Sequence, residues 1–402
     1  MTLLQPNPNR RDSSAPLERL GGLVIVQNRE TQFDAPLYRA IASSAAYPLR
    51  VIYTAALQGA DDELGFAPRW DHLASGSYDQ WVLQGQSPLQ AWRLARWIRS
   101  LKPDLVIVAG YYPRFQLLLA LLLRLRGQRI GLRSDNTLRH THLIGWRGWL
   151  RRQAVGRIQR LFHSWHPVGN QALAYLRELS GTDRPTYRFA YAVDNHWFAS
   201  RSAVERSGRA QWLADRGWPA DAFVVLGILK WSTREDPLTL VRAFAQLQRP
   251  CPRARLLLVG DGPLQALVQQ AIAPMKPLVH CPGYVAYSAL PQWYGYADVF
   301  VHPCPDEPWG VSVNEAMACG LPVLAAAGVG AGEELIEPGR NGLRFDNGDA
   351  VTLARQLQHL AEQPDQLRAM GASARQTVAA WSYQASMAQM QQALQGAPCS
   401  AL

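Results

Sequence analysis

The chain of 402 residues predicts an α/β protein built from two Rossmann-like, doubly wound parallel-sheet domains. Three observations lead to that class. Short β-rich runs alternate with helical patterns along the whole chain, which is how successive βαβ units read. The length suits two or three domains, each large enough for its own core. Hydrophobic residues at 48% and charged residues at 18% describe an ordinary globular composition.

Taken in order, residues 1–20 lack the apolar run of a signal peptide and are expected to be a loose tail. Residues 21–195 form the first domain, with strands expected at 22–27, 50–54, 104–109, 129–133 and 187–190. Helical patterns lie between them at 35–43, 89–101, 115–125, 146–162 and 171–179. The most apolar of these, F-Q-L-L-L-A-L-L-L-R-L at 115–125, is far shorter than the roughly 20 residues that span a bilayer, so it reads as a buried helix. A polar stretch, 193–208, reads as the linker. Residues 196–380 form the second domain, with strands expected at 223–227, 255–259, 278–280, 299–302 and 323–326. A Gln/Ala/Met-rich helix follows within 381–402. Ligands of doubly wound sheets bind beyond the carboxyl ends of the strands.

The basic surplus is confined to one region. Residues 101–200 hold 15 Lys and Arg against 5 Asp and Glu, and the rest of the chain is balanced. An acidic surface or an anionic acceptor accounts for such a bias. Residues 139–163 carry Arg139, Arg147, Arg151, Arg152, Arg157 and Arg160, with Trp146 and Trp149 among them and His163 at the end. Arg and Trp on one segment suit an anionic membrane surface or a lipid-linked acceptor, although a solvated helix face has the same composition. Nucleic acid is not expected, because no recognised binding module accompanies the charge. The five cysteines form no C-x-x-C pair and their number is odd, so neither a disulfide framework nor a zinc site is expected and a reducing cytoplasm fits.

The most informative stretch is 307–322, E-P-W-G-V-S-V-N-E-A-M-A-C-G-L-P. Glu307 falls in a turn, and Glu315 falls on a short helix that ends at Gly320 and Pro322. At the start of that helix the N–H groups of Gly310, Val311 and Ser312 face outward with the positive end of the dipole, which suits a phosphate. Two carboxylates beside such an anion site suit sugar hydroxyls.

This segment resembles the E-x7-E signature of retaining glycosyltransferases of family 4, which have the GT-B fold. Further motifs agree in order and spacing. L-L-L-V-G-D-G-P-L at 256–264 is similar to the family's strand and Gly-rich turn, and V-H-C-P-G-Y-V at 279–285 to its loop around the nucleobase. Y-A-D-V-F-V-H-P at 296–303 is similar to the strand before the first glutamate, and N-G-L-R-F at 341–345 to the element after the second. The likeness runs from about 224 to 381. In the first half it rests on V-G-N-Q-A-L-A-Y-L at 168–176 and Y-A-V-D-N-H-W-F at 191–198.

The resemblance implies two domains facing across a cleft, with the last helix returning to the first. It implies a nucleotide sugar, UDP- or GDP-linked, transferred with retention to a glycan or lipid-linked acceptor without a metal; the basic segment 139–163 would hold such a cytoplasmic enzyme on the inner face of the membrane. Glu315 would accept from ribose hydroxyls, and Glu307 would contact the transferred sugar and stabilise charge at its anomeric carbon. Gly260, Asp261 and Gly262 would form the turn below the donor, and Gly283, Tyr284 and Val285 would approach the base. The family's basic pair for the diphosphate maps onto G-I-L-K-W-S-T-R-E-D-P at 227–237: Lys230 matches the first, while the usual second lysine falls at Glu235 with Arg234 beside it. That departure leaves Arg234 either as the phosphate cation or as a salt-bridge partner of Glu235 or Asp236. Asp135, in R-S-D-N, either orients an acceptor hydroxyl or caps the next helix, and His140 and His142 lie near it. A catalytically silent nucleotide-sugar-binding module and a nucleotide-sugar epimerase are the competing functions. A dinucleotide oxidoreductase is disfavoured, because the first βα turn lacks G-x-G-x-x-G.

Overall fold

Seven strands make the first sheet: β1 (Leu4–Pro6), β2 (Leu23–Gln27), β3 (Leu49–Tyr53), β4 (Asp79–Leu83), β5 (Leu105–Ala109), β6 (Ile130–Ser134) and β7 (Ser164–Pro167). Their order is β1-β4-β3-β2-β5-β6-β7, and every pair is parallel except β1 with β4. The runs L-V-I-V-Q and L-V-I-V-A put β2 and β5 at the centre, where β-branched side chains are covered on both faces. The computed structural model describes residues 4–6, 21–44, 46–55, 78–112, 114–139 and 144–396.

The second sheet has six parallel strands: β8 (Phe223–Ile228), β9 (Ala254–Val259), β10 (Val279–Gly283), β11 (Val299–His302), β12 (Val323–Ala326) and β13 (Gly342–Phe345). Their order is β10-β9-β8-β11-β12-β13. The chain winds outward from β8 through β9 to β10, then crosses back to β11, so β8 and β11 flank the switch point where such sheets bind ligands. The first sheet reverses in the same way between β2 and β5.

The first compact unit ends at Ala192 and takes in the helix Tyr383–Gln395; the second runs over residues 193–382. Within the first unit, the Arg129 guanidinium donates to the Ala393 and Leu394 carbonyls, both at 3.0 Å. The Arg188 N–H donates to Gln389 Oε1 at 3.1 Å.

Four expectations need correction. Residues 193–208, read as the linker, are helical: Asp194 caps the helix Asn195–Ser207 by accepting from the Trp197 N–H at 2.8 Å. That helix packs on Leu290–Tyr296 and buries Phe198 and Ser202, a stripe narrow enough for the polar residues around it to hide. Residues 187–190 are not a strand; the Tyr187 and Phe189 N–H groups donate to the Trp165 and Pro167 carbonyls, but only Thr186 bridges to β7. The tail carries a strand at Leu4–Pro6, and the rest of residues 1–20 lies outside the described residues. Finally β4 and β7 form from D-Q-W-V-L and S-W-H-P, segments whose polar ends concealed them.

Candidate active site

In the second unit the side chains singled out from sequence collect on the loops that leave β8, β9 and β11. The loop after β8 is fastened by the G-D-G turn after β9. The Trp231 N–H donates to the Asp261 carbonyl (2.8 Å) and the Leu264 N–H to the Trp231 carbonyl (2.8 Å). Asp261 turns its own carboxylate to the Gly262 N–H (2.7 Å). Gly260 has φ +141°, and a Cβ there would collide with the Leu229 carbonyl. These glycines therefore serve close approach, holding Leu229 to Trp231 against the turn. Gly283 has φ +81° with open space around the missing Cβ, and its carbonyl accepts from the Gly260 N–H (3.0 Å). Tyr284 and Val285 follow it, both half-buried.

Glu235, the departure from the expected lysine, is buried and has a structural task. Its Oε2 accepts from the Lys230 N–H at 2.6 Å, and its Oε1 accepts from Arg234 Nη2 at 2.9 Å. Burial pushes this acid up to about 7; the Glu307 charge adds to the rise, and Arg234 opposes it. Arg234 in turn extends its Nη1 to Glu307 Oε2 at 2.6 Å. The guanidinium is thus shared by two carboxylates while about a third of its side chain stays open to solvent. Both readings of Arg234 meet here: it does pair with Glu235, and it also stands beside Glu307. Lys230, half-buried, sits on the same loop.

The Glu307 backbone is fixed against the segment after β12. Its N–H donates to the Gly328 carbonyl (3.2 Å) and its carbonyl accepts from the Gly330 N–H (3.0 Å). Cβ atoms at Gly328 and Gly330 would run into the Pro305 and Pro308 carbonyls, which explains the G-V-G sequence. Gly310, at φ +93°, then begins the helix Val311–Ala318. Among the described residues no side chain caps it, so the first amides, Val311 and Ser312 included, have no side-chain acceptor there. Glu315 lies on the buried face of that helix and accepts from the Tyr294 hydroxyl at 2.8 Å. Burial pushes Glu315 up to about 7, against the pull of that hydrogen bond.

Three neighbours were not singled out from sequence: Tyr294, His302 and Cys304. His302 ends β11, 3% exposed, and neither ring nitrogen has a partner among the described residues. Burial holds its imidazole down to about 4, and Glu307 and Arg234 act on it in opposite directions. The only hint was a histidine closing an otherwise apolar strand. The donor atoms of His302, Cys304 and Glu307 lie within 4.8 Å of one another, a set able to hold a metal ion. Two of the three side chains are already engaged. Arg234 already holds Glu307, and the Cys304 thiol, pushed up to about 12 by burial, donates to the Arg234 carbonyl (2.9 Å).

In the first unit a cavity of about 560 Å³ opens on the loops that follow β2, β5 and β6. Asp135 lines it, exposed, and accepts from the Tyr191 hydroxyl at 2.8 Å. Among the described residues it caps no helix: the next one, Gly145–Arg160, begins at Ile144 with no side-chain cap. His140 and His142 lie outside the described residues. The helix Gly145–Arg160 is anchored at Gly156, which lies against the Leu179 carbonyl, and by Arg160, whose Nε donates to the Ser180 carbonyl (2.7 Å). Arg152 pairs with Glu178 at 2.5 Å. The apolar residues of this segment gather at its exposed N-terminal end, where Ile144 is 93%, Trp146 69% and Trp149 59% accessible.

Residues 220–363 match the family model described as Glycosyl transferases group 1. The chain is 30% identical over 193 residues to a D-inositol 3-phosphate glycosyltransferase of Thermomonospora curvata, covering 45% of this chain and 44% of that protein. It is 27% identical over 276 residues to a GDP-mannose-dependent alpha-(1-6)-phosphatidylinositol monomannoside mannosyltransferase of Mycolicibacterium smegmatis, covering 62% of this chain and 66% of the other. The chain thus spans less than two thirds of the length of these curated relatives. In fold it is similar to Anabaena HepE in complex with UDP, with a TM-score of 0.75 at 18% identity, covering 93% of this chain and 100% of that one. The fold is GT-B, and the likeness to group 1 glycosyltransferases read from the motifs is borne out over residues 220–363.

Proposed function

We propose that this protein is a retaining, metal-independent glycosyltransferase that moves a sugar from a UDP- or GDP-linked donor to an acceptor hydroxyl. The observation that carries the reading is the Lys230–Arg234–Glu235–Glu307 constellation, gathered where β8 and β11 flank the switch point. A departing nucleoside diphosphate gains negative charge, and fixed cations aimed at that charge are usually the largest catalytic contribution. Lys230 and Arg234 supply them, and the uncapped helix at Gly310 adds amides. Arg234 replaces the expected lysine, with a planar fork suited to two phosphate oxygens. Glu235 serves as the buried brace that sets the loop.

In this reading the diphosphate displaces Glu307 from Arg234. Glu307 then faces the sugar and stabilises the positive charge at the anomeric carbon as its bond to the phosphate oxygen breaks. The acceptor oxygen bonds to the same face of that carbon, and its proton passes to the departing phosphate oxygen. Glu315 accepts from the ribose hydroxyls, and Asp135 orients the acceptor. The acceptor is a glycan or lipid-linked hydroxyl, and the enzyme works at the cytoplasmic face of a membrane. None of the described helices is long and apolar enough to cross one.

The test is a panel of UDP- and GDP-sugars assayed for slow donor hydrolysis with and without a chelator. One sugar nucleotide should be hydrolysed equally well in both, and Glu307→Ala should lower the rate about 100-fold or more. Tight binding of a nucleotide sugar without turnover would establish the silent module instead, and interconversion of free donors would establish the epimerase.

A further inference from the structure

The cavity of the first unit is more cationic than a site for a neutral sugar requires. Asp34 and Arg133 both line it, but they cancel each other in an ion pair of 2.7 Å that is almost wholly buried. The Arg133 guanidinium lies 4.0 Å from the Phe189 ring centroid and 5.0 Å from that of Tyr191, and its Nε has no partner among the described residues. Tyr191 in turn holds Asp135. The floor is therefore rigid and presents one carboxylate, Asp135, with the amide of Asn136 beside it. Two further arginines line the cavity, Arg29 on the loop after β2 and Arg151 on the helix Gly145–Arg160. Both are exposed, and among the described residues neither forms an ion pair. Apart from the cancelled pair, the described residues of the lining carry two cations against one acid.

We propose that this cavity takes a polyol bearing a phosphate group, with Arg29 and Arg151 on the phosphate and Asp135 and Asn136 on the hydroxyls. The inference rests on the glycosyltransferase reading for its meaning, since the polyol is then the acceptor. It names the class of that acceptor as anionic. A volume of about 560 Å³ holds a phosphorylated monosaccharide with room to spare. The group recognised is a phosphate ester, which a soluble sugar phosphate carries as a monoester and a lipid headgroup as a diester.

Calorimetry on the intact chain tests this without any donor. The probes are glucose 6-phosphate and inositol 1-phosphate as monoesters, glycerophosphoglycerol and glycerophosphoinositol as diester headgroups, and glucose, inositol and glycerol as neutral parents. Phosphate-bearing probes of at least one kind should bind about tenfold or more tighter than their parents, as expected for charge-assisted bonds. The preference should vanish in Arg29→Gln/Arg151→Gln at an unchanged melting temperature, and persist in Arg177→Gln, an exposed arginine of the helix Asn170–Ser180 that does not line the cavity. Preference for monoesters assigns a soluble acceptor, and preference for diesters a lipid headgroup. If no phosphorylated probe outbinds its parent, or if the double variant keeps the preference, the proposal falls. Donor hydrolysis measured on the same preparation judges the glycosyltransferase reading separately.

Discussion

At Arg234 two demands compete for one guanidinium: the brace to Glu235 and the pair with Glu307. Removing it should expose both. On the proposed mechanism Arg234→Ala is expected to cut donor turnover about 100-fold, since a cation aimed at the leaving group would be lost. Arg234→Lys should recover only part, because a point charge cannot span two oxygens. Equal turnover in Arg234→Ala and the wild type would remove this residue from the mechanism. Glu315 makes a different prediction, about stability. Its folded-state value near 7 lies above the ordinary 4.5, so the native state holds a proton that the unfolded chain releases. The contribution is complete below about 4.5 and is lost as pH rises through about 7. Glu315→Gln, neutral throughout and still able to accept from Tyr294, should lose less of its melting temperature between pH 5 and 8 than the wild type. A scan with equal pH slopes for both would show that the acid is not held protonated. Both glutamates were legible in sequence because they belong to one local run. The Arg234–Glu307 pair joins residues 73 apart, and only the return of β11 beside β8 brings them together, so no spacing rule could show it.

At the scale of elements, the near-continuous apolar runs announced β2, β5, β8 and β9, because a strand covered on both faces has little polar alternation to blur it. The helix Asn195–Ser207 was lost for the opposite reason: only Phe198 and Ser202 are buried, and its cap is a single aspartate. Glycines likewise looked alike in sequence and differ in structure. Gly260 and Gly283 both have positive φ, but a Cβ at Gly260 meets the Leu229 carbonyl while one at Gly283 meets nothing. Gly283→Ala should cost about 1 kcal/mol, the backbone strain alone. Gly260→Ala should cost about 3 kcal/mol or more, because the loop carrying Lys230 must also move. Thermal or urea unfolding of the two variants measures the difference. Donor affinity should fall in Gly260→Ala beyond what Gly283→Ala loses, and comparable costs would show that the turn does not clamp that loop.

Across the whole molecule the charge is divided as sharply as the chain. The net +10 arises almost entirely from residues 101–200, where the exposed Arg147 and Arg157 share a helix with Trp146 and Trp149. Exposed tryptophan and isoleucine are costly in water unless something covers them, and arginines around them favour an anionic surface over a neutral one. Each basic residue near such a surface is worth about 1 kcal/mol, so reversing two charges should weaken binding by a factor of ten or more. Arg147→Glu/Arg157→Glu is therefore expected to lower sedimentation with phosphatidylglycerol vesicles at low salt. Raising the salt, which shortens the screening length from roughly 10 Å at 0.1 M to 3 Å at 1 M, should erase most of that difference. Trp146→Ser/Trp149→Ser acts through burial in the interface and should weaken binding at both salt concentrations. The contrast between the two variants separates peripheral insertion from charge attraction alone, since a purely electrostatic contact would leave the tryptophan variant at wild-type sedimentation. If neither pair of substitutions alters sedimentation, this helix is a solvated surface and the proposed transfer does not use it to reach a membrane.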